Sequence, residues 1–330
     1  MIPDETVFVT GANGFVGRHV CQALVGSGYR VLVAVRDRGR CLDLKSMGCE
    51  PVAVGDIGGD TDWTQALRGV NRVVHLAARV HVMDERKRNS LEEYRRVNVL
   101  GTQRLAEQAA AAGVRRLVYL SSIKVNGETT VGRQVMRESD PPAPQDPYGQ
   151  SKWEAEQVLH RVADGTGLEV VILRPPLIYG PGVGANFLAL MKAVSRGVPM
   201  PLGSIHNARS LLYVGNLVNA IALCLQHPDA RGQTYLVTDG EDISTPALVQ
   251  KLAAALDRPV RLISVPTAIL GLAGALTGRR AVVARLAGSL VVDSSKIRRD
   301  LSWQPPYSLE EGLRVTAEAY RLQSRRDGSR

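Results

Sequence analysis

Thr6-Val7-Phe8-Val9-Thr10-Gly11-Ala12-Asn13-Gly14-Phe15-Val16-Gly17 is the stretch on which the fold of this chain turns. Thr6–Thr10 reads as a short apolar strand, and from Val16 to Gly26 the apolar residues return at helical spacing. Three glycines, three residues apart, stand between the two elements. Glycine permits the tight turn, lets the backbone approach a pyrophosphate, and lets the helix pack closely on the strand. The helix start offers free N–H groups and a positive dipole end to phosphate. A glycine-rich turn with no ligand is the alternative, and the strand–loop–helix setting argues against it. Gly11, Asn13, Gly14, Phe15, Val16 and Gly17 are thus candidate dinucleotide contacts.

Outward from this loop, strand and helix alternate. Strands are expected over Tyr29–Val35, Pro51–Gly55, Val70–Ala77, Val114–Ser121 and Leu168–Leu173, with helices over Val99–Ala112 and Lys152–Ala163. Such alternation predicts an α/β fold of Rossmann type, a doubly wound parallel sheet binding ligands at the carboxyl ends of its strands. After about Pro175 the pattern changes. Helices are expected over Asn186–Arg196, Val214–Gln226, Thr245–Leu256 and Leu309–Leu322. The reading is an NAD(P)-binding domain over 1–178 and a smaller, mainly helical substrate domain over 179–330. Tyr235–Val237, within 233–238, is expected to return to the first sheet.

An acidic residue ending the second strand would hold the ribose 2′-hydroxyl of NAD, whereas an arginine there suits the 2′-phosphate of NADP. Val35 occupies the usual acid slot and Arg36 follows it, which favours NADP, although Asp37 is within reach of the ribose. Asp56-Ile57 ends the third strand, where an adenine contact or a simple turn aspartate would stand.

The composition, 45% hydrophobic and 22% charged over 330 residues, is ordinary for a globular protein. No apolar run reaches the roughly 20 residues of a membrane span. The best, Ala268–Leu276, is bounded by Thr267 and Thr277. The first strand runs straight into the glycine loop rather than forming a signal peptide, so a cytoplasmic protein without a membrane partner is expected. Cys21, Cys41, Cys49 and Cys224 lack metal-ligand spacing and read as reduced thiols, with no metal expected. The net charge of +9 is spread over scattered arginines, with clusters at 36–40, 86–88 and 325–330. It suits a solvated surface or a phosphate-rich ligand. No nucleic-acid-binding pattern accompanies it.

Tyr148-Gly149-Gln150-Ser151-Lys152 carries the chemistry. On a helix, positions i and i+4 share a face. A lysine there favours the phenolate of a tyrosine whose ordinary pKa is about 10, which lets the phenol exchange protons near neutral pH. Further motifs fall into order around the pair. His75-Leu76-Ala77-Ala78 ends the fourth strand, Asn98-Val99-Leu100-Gly101-Thr102 opens a helix, Ser121-Ser122 ends the fifth strand, and Arg174-Pro175 follows the sixth.

In this order the motifs resemble the extended short-chain dehydrogenase/reductase family, in its nucleotide-sugar branch of UDP-glucose 4-epimerase-like enzymes. The resemblance runs nearly the whole chain, to Leu301-Ser302-Trp303-Gln304-Pro305. It implies that Tyr148 exchanges a proton with a substrate oxygen. Lys152 would bond the nicotinamide ribose and lower the Tyr148 pKa, and Ser122 would bond the same substrate oxygen. Asn98 would support the strand geometry or a water behind Lys152, and Leu76, Ala77, Ala78 and Pro175 would line the cofactor. Taken singly, Ser122 is also an ordinary strand-end serine and Asn98 a helix cap. Asn186 and Arg209 match positions that contact the substrate diphosphate, although Ser210 departs from the family's aspartate. Arg279 or Arg280 is a candidate second arginine. A homodimer through two helices of the sheet domain is implied as well.

Two departures bear on the reaction. Ile123-Lys124-Val125-Asn126-Gly127 and Ala78-Arg79-Val80-His81-Val82 differ from the usual epimerase segments. With Asn186-Phe187 and Asp239-Gly240-Glu241-Asp242, they look more like bacterial 4-reductases of UDP-4-keto-6-deoxy-N-acetylhexosamine, which serve surface polysaccharide synthesis. The expectation is therefore a 4-reductase using NAD(P)H. The alternatives are a UDP-glucose or UDP-N-acetylglucosamine 4-epimerase with tightly bound NAD and, more remotely, a silent NADP(H)-binding sensor or scaffold.

Overall fold

The computed structural model describes residues 5–37, 41–80, 90–130, 135–278 and 280–327. Its first half is an alternation: β1 (Thr6–Thr10), α1 (Phe15–Gly26), β2 (Arg30–Val35), α2 (Leu42–Ser46), β3 (Glu50–Ala53), β4 (Arg72–His75), α3 (Ser90–Tyr94), a π-helical turn (Arg95–Leu100), α4 (Gly101–Ala111), β5 (Arg116–Leu120), α5 (Pro147–Thr166) and β6 (Glu169–Arg174). The second half adds β7 (Leu177–Tyr179), α6 (Ala185–Ser195), β8 (Arg209–Tyr213), α7 (Val214–Gln226), β9 (Thr234–Leu236), β10 (Asp242–Ile243) and α8 (Thr245–Leu256). It ends with α9 (Thr267–Leu276), α10 (Arg280–Ala287), α11 (Ser295–Leu301) and α12 (Leu309–Asp327).

Period-two alternation builds the layers. On β1, Val7 and Val9 face one way, into a core with Val20 and Leu24 of α1 and Leu217 and Ile221 of α7. Phe8 faces the other way, toward Trp63, Leu105 of α4 and Leu159 of α5. Seven parallel strands therefore lie buried between two helical layers, in the order β3-β2-β1-β4-β5-β6-β9. The order reverses between β1 and β4, which is where ligands of such sheets bind. β9 pairs with β6, Leu173 opposite Tyr235, so residues 234–236 rejoin the sheet.

The second half is less purely helical than expected. A three-stranded sheet, β10-β8-β7, packs with α6, α8 and α12 around Tyr179, Phe187 and Leu248. Its strands are two to five residues long and have no alternation to read, so sequence pattern gave no sign of them. β7 starts at Leu177, ahead of the expected boundary, and α7 lies against α1 on the first sheet.

A second correction concerns Asn98. It was expected to open a helix, but helix is already present from Ser90 and Asn98 falls inside the π-helical turn. The widened turn shifts the register of the side chains that follow, as such turns commonly do near functional sites.

Candidate active site

The glycine loop shows why no side chain serves at two of its positions, Gly11 and Gly17. Gly11 has φ +72, and a Cβ there would lie 2.7 Å from the Ala77 nitrogen. A Cβ on Gly17 would come within 2.1 Å of the Gly11 oxygen. The Gly14 nitrogen donates to the Gly11 oxygen at 2.9 Å, closing the turn. Gly14 caps α1 with no side-chain hydrogen bond, and the first turn carries no acidic residue. The helix start therefore presents unneutralised N–H groups to a phosphate. These features fit a dinucleotide: a cradle that a Cβ would fill, and a positive helix end at its rim. Leu76, Ala77 and Ala78 follow β4 beside Gly11, and the Ala77 nitrogen donates to Thr10 Oγ1 at 3.1 Å.

At the ends of β2 and β3, two residues singled out separately come together. Arg36 Nε lies 2.6 Å from Asp56 Oδ1, and both side chains are largely exposed. Ile57 packs partly into the core beside Gly101, whose missing Cβ leaves it room. Two residues of the 36–40 cluster, Arg38 and Arg40, lie outside the described residues, as do His81, Val82 and the 86–88 cluster.

Ser122 and Tyr148 are drawn together through Lys124. Ser122 follows β5 in extended conformation, and its Oγ accepts from the Lys124 nitrogen at 3.2 Å. Asp146 caps α5, accepting from the Gly149 nitrogen at 2.6 Å, with Pro147 at the first helical position. Lys124 Nζ forms an ion pair with that same Asp146. A Cβ on Gly149 would lie 2.9 Å from the Lys124 oxygen, so the Tyr148 turn of α5 sits directly on the turn after Ser122. The Tyr94 ring meets the Tyr148 ring edge-on at 6.1 Å.

Asn98 supports the same turn from the other side. Its Oδ1 accepts from the Arg79 nitrogen at 2.7 Å, and its Nδ2 donates to the Arg79 oxygen and to Ser151 Oγ. Ser151 Oγ in turn donates to the Tyr148 oxygen at 2.8 Å. Asn98 thus links the segment after β4 to the helix carrying Tyr148 and Lys152.

Lys152 is buried. Its Nζ donates to Tyr119 Oη at 3.0 Å and to the Leu120 oxygen at 2.7 Å, and lies 4.3 Å from the Tyr119 ring centre. The sequence led to the expectation that Lys152 lowers the Tyr148 pKa. In the structure burial holds the Tyr148 phenol above its ordinary value, followed by the Asp146 carboxylate and Tyr94. Desolvation outweighs any cation here, because Lys152 is turned toward Tyr119. Burial likewise pulls the Lys152 ammonium down to about 7, partly offset by the Glu156 carboxylate.

The sign of the resulting pH dependence is fixed. The unfolded lysine titrates near 10.4, so between pH 7 and 10 the unfolded chain binds more protons, and stability gained at this site rises with pH. Lys152→Met removes that slope. In thermal melts, the difference between variant and wild type is expected to move in favour of the wild type as pH rises from 7 toward 10. The change should reach up to about 1.4 kcal/mol per pH unit. A difference independent of pH would mean that Lys152 keeps its charge throughout.

Sequence reasoning missed the polar chain behind Lys152. His75 is fully buried, its Nδ1 2.6 Å from Thr10 Oγ1 and its Nε2 2.9 Å from Thr102 Oγ1. Burial, then the charge of Lys152, lowers its pKa to about 3, so the ring is neutral. Thr10 Oγ1 also accepts from the Ala77 nitrogen, so the neutral ring, with one nitrogen donating and the other accepting, is held between two threonine hydroxyls. Glu156, one turn beyond Lys152, is paired with Arg174 and accepts from Ser121 Oγ. Polar residues at the ends of otherwise apolar strands were the available signal.

The proposed substrate contacts lie in the second half. Asn186 is exposed in the first turn of α6, whose cap, Gly184, makes no side-chain hydrogen bond. Arg209 NH1 donates to the Arg285 oxygen at 2.7 Å and to the Gly288 oxygen at 2.9 Å. Ser210 bonds Asp242, which joins β8 to β10. Pro175 follows β6, and its oxygen accepts from the Ile123 nitrogen at 2.9 Å. Arg279 lies outside the described residues, and Arg280 is exposed on α10. Among the described residues no group of three His, Cys, Asp or Glu is placed to hold a metal. No helix among them is long and apolar enough to cross a membrane.

Comparison with known proteins puts this geometry in context. The family model described as NAD dependent epimerase/dehydratase family matches residues 7–238. UDP-glucose 4-epimerase of Vibrio cholerae is 44% identical over 323 residues, spanning 96% of this chain and 95% of that protein. Among solved structures, UDP-glucuronic acid 4-epimerase from Bacillus cereus with NAD has the same fold. Its TM-score is 0.78 at 22% identity, over 96% of this chain and 99% of its own. MoeE5 in complex with UDP-glucose and NAD gives 0.75 at 28% identity, over 97% and 99%.

Proposed function

Because the chain belongs to the NAD-dependent epimerase/dehydratase family, in its nucleotide-sugar branch, we propose that it is a 4-epimerase of a UDP-hexose working with tightly held NAD. The observation that carries this reading is the 44% identity, over nearly the full length, to a UDP-glucose 4-epimerase. It supports the epimerase, weighed from sequence as the alternative, above the reductase.

The glycine cradle and the start of α1 would hold the cofactor diphosphate, with Leu76 to Ala78 and Pro175 along its length. When bound, the nicotinamide supplies hydride exchange at the sugar carbon. Tyr148 would take the proton of the sugar 4-hydroxyl and return it, while Ser122 holds the same oxygen by a hydrogen bond. Lys152 would secure the ribose with its ammonium, a strong donor to hydroxyl oxygens. Asn186 and Arg209 would meet the UDP diphosphate, guanidinium being well suited to phosphate oxygens. The protein would pair as a homodimer through two helices of the sheet domain.

A second reading, the NADPH-dependent reduction of a 4-keto sugar nucleotide for surface polysaccharide, is favoured by one observation. Arg36 stands at the β2 end, where a 2′-phosphate would lie, and Asp56 fixes its guanidinium. One assay separates the two readings. Purified protein given UDP-glucose or UDP-N-acetylglucosamine without added cofactor is expected to interconvert the C4 epimers and to release NAD on denaturation. Activity seen only with a 4-keto sugar nucleotide and added NAD(P)H would replace the epimerase with the reductase.

Arg36 has a separate test. Arg36→Ala is expected to weaken NADPH binding by about tenfold, the scale of one charge-assisted hydrogen bond to phosphate, and to leave NADH nearly unchanged. Fluorescence titration with both nucleotides measures it. Equal losses would remove Arg36 from the 2′-phosphate.

A further inference from the structure

We propose that the hairpin of α9 and α10 docks the enzyme onto an anionic phospholipid surface. The two helices pack on each other where a Cβ on Gly274 would lie 2.8 Å from Val283 Cγ2. Their inner side chains, including Leu270 and Leu286, join a core with Val249 and Leu256 of α8. On their outer side Ile269 is 56% exposed, Leu272 63% and Leu276 80%, and Val282 is close to half exposed, as is Ile263 in the segment before α9. The exposed large hydrophobics elsewhere among the described residues are scattered singly, whereas these five fall within twenty residues. Single exposed apolar residues need no explanation, but a cluster of this kind marks a binding surface.

Charge selects the occupant. From Arg258 to Val292 the sequence has five arginines (258, 261, 279, 280 and 285) and no Asp, Glu or Lys. Arg258, Arg261, Arg280 and Arg285 are exposed. A second copy on this face, related by a two-fold axis, would set exposed Arg258, Arg261 and Arg280 against the same like-charged groups. A bilayer with acidic headgroups satisfies both halves of the surface: leucine and isoleucine enter the acyl boundary while arginines meet phosphate. α9 is too short to span, so the contact is peripheral. The carbonyls of Arg285 in α10 and of Gly288 just after it hold Arg209, so docking brings the start of β8 toward the membrane.

The test is flotation of the full chain with vesicles of phosphatidylcholine alone or mixed equally with phosphatidylglycerol. Binding is expected to the mixed vesicles only, and to be lost in high salt. Leu272→Glu/Leu276→Glu is expected to cut the bound fraction about tenfold or more by removing apolar insertion. Arg258→Glu/Arg261→Glu is expected to do the same by removing attraction to phosphate. All four side chains are exposed, so melting temperature and turnover of soluble substrate should stay at wild-type values. Failure of the wild type to float with the mixed vesicles overturns the proposal. So does binding that both double variants retain, or a change of oligomeric state in the leucine variant without vesicle binding by the wild type.

Discussion

Tyr148→Phe is expected to lower turnover by about 10²–10⁴-fold, the usual contribution of a positioned general acid or base, with cofactor affinity kept within a factor of about two. The variant isolates one atom. The ring contact with Tyr94 survives, because it is made edge-on by the rings rather than by the hydroxyl. The turn that presents residue 148 is held by Asp146, Ser151 and Gly149, none of which uses the phenol oxygen in doing so. Burial and the Asp146 carboxylate keep the resting phenol protonated, so it starts as a donor and becomes an acceptor only when positive charge is brought near it. Nucleotide fluorescence and steady-state turnover of the interconversion check the two parts separately. Near-normal turnover would remove Tyr148 from proton transfer. Turnover and nucleotide binding lost together would make it a structural residue.

The parts of this molecule that sequence made legible are those whose information is local. Val7, Phe8 and Val9 alternate between two cores within three residues, and the glycines that follow exclude side chains within one turn. The pairing of β9 with β6 was legible because Tyr235 and Val237 form an apolar run of their own. β7, β8 and β10 were not, since two to five residues carry no period. Asn98 was identified but placed at a helix start. Arg95 and Arg96 broke the apolar spacing, and nothing in a sequence announces a π turn. Lys124 was visible only as a departure from the family pattern. Its partner, Asp146, lies 22 residues away, and only folding shows that the departure ties the serine turn to the tyrosine helix. In this site local pattern pointed to the candidate reacting groups, and long-range polar pairs that leave no local signature hold them in place.

The strongest of those pairs gives the second large effect. Arg174→Met is expected to destabilise the protein by about 3–5 kcal/mol, the cost of leaving one member of a buried ion pair without its partner. Glu156 has no exposure at all, and Arg174 gives it both Nε and NH2 while its NH1 donates to buried Asn126 at 3.0 Å. Removing the guanidinium leaves a buried carboxylate that accepts from Ser121 Oγ, with the Lys152 ammonium one turn away as the nearby cation. Replacing both members, as Glu156→Leu/Arg174→Met, should recover part of the loss, because paired apolar groups of similar volume carry no desolvation penalty. Recovery should be incomplete, since Ser121 Oγ and Asn126 Oδ1 would each lose a hydrogen bond. Urea unfolding of the two single variants and the double variant measures this as a coupling energy. Activity should fall further than stability requires, because the pair fixes β6 and Pro175 against the helix carrying Lys152 and holds Ser121 beside Ser122. A double variant as unstable as Arg174→Met alone would mean that the loss comes from packing around residue 174, and the charge pair would no longer account for it.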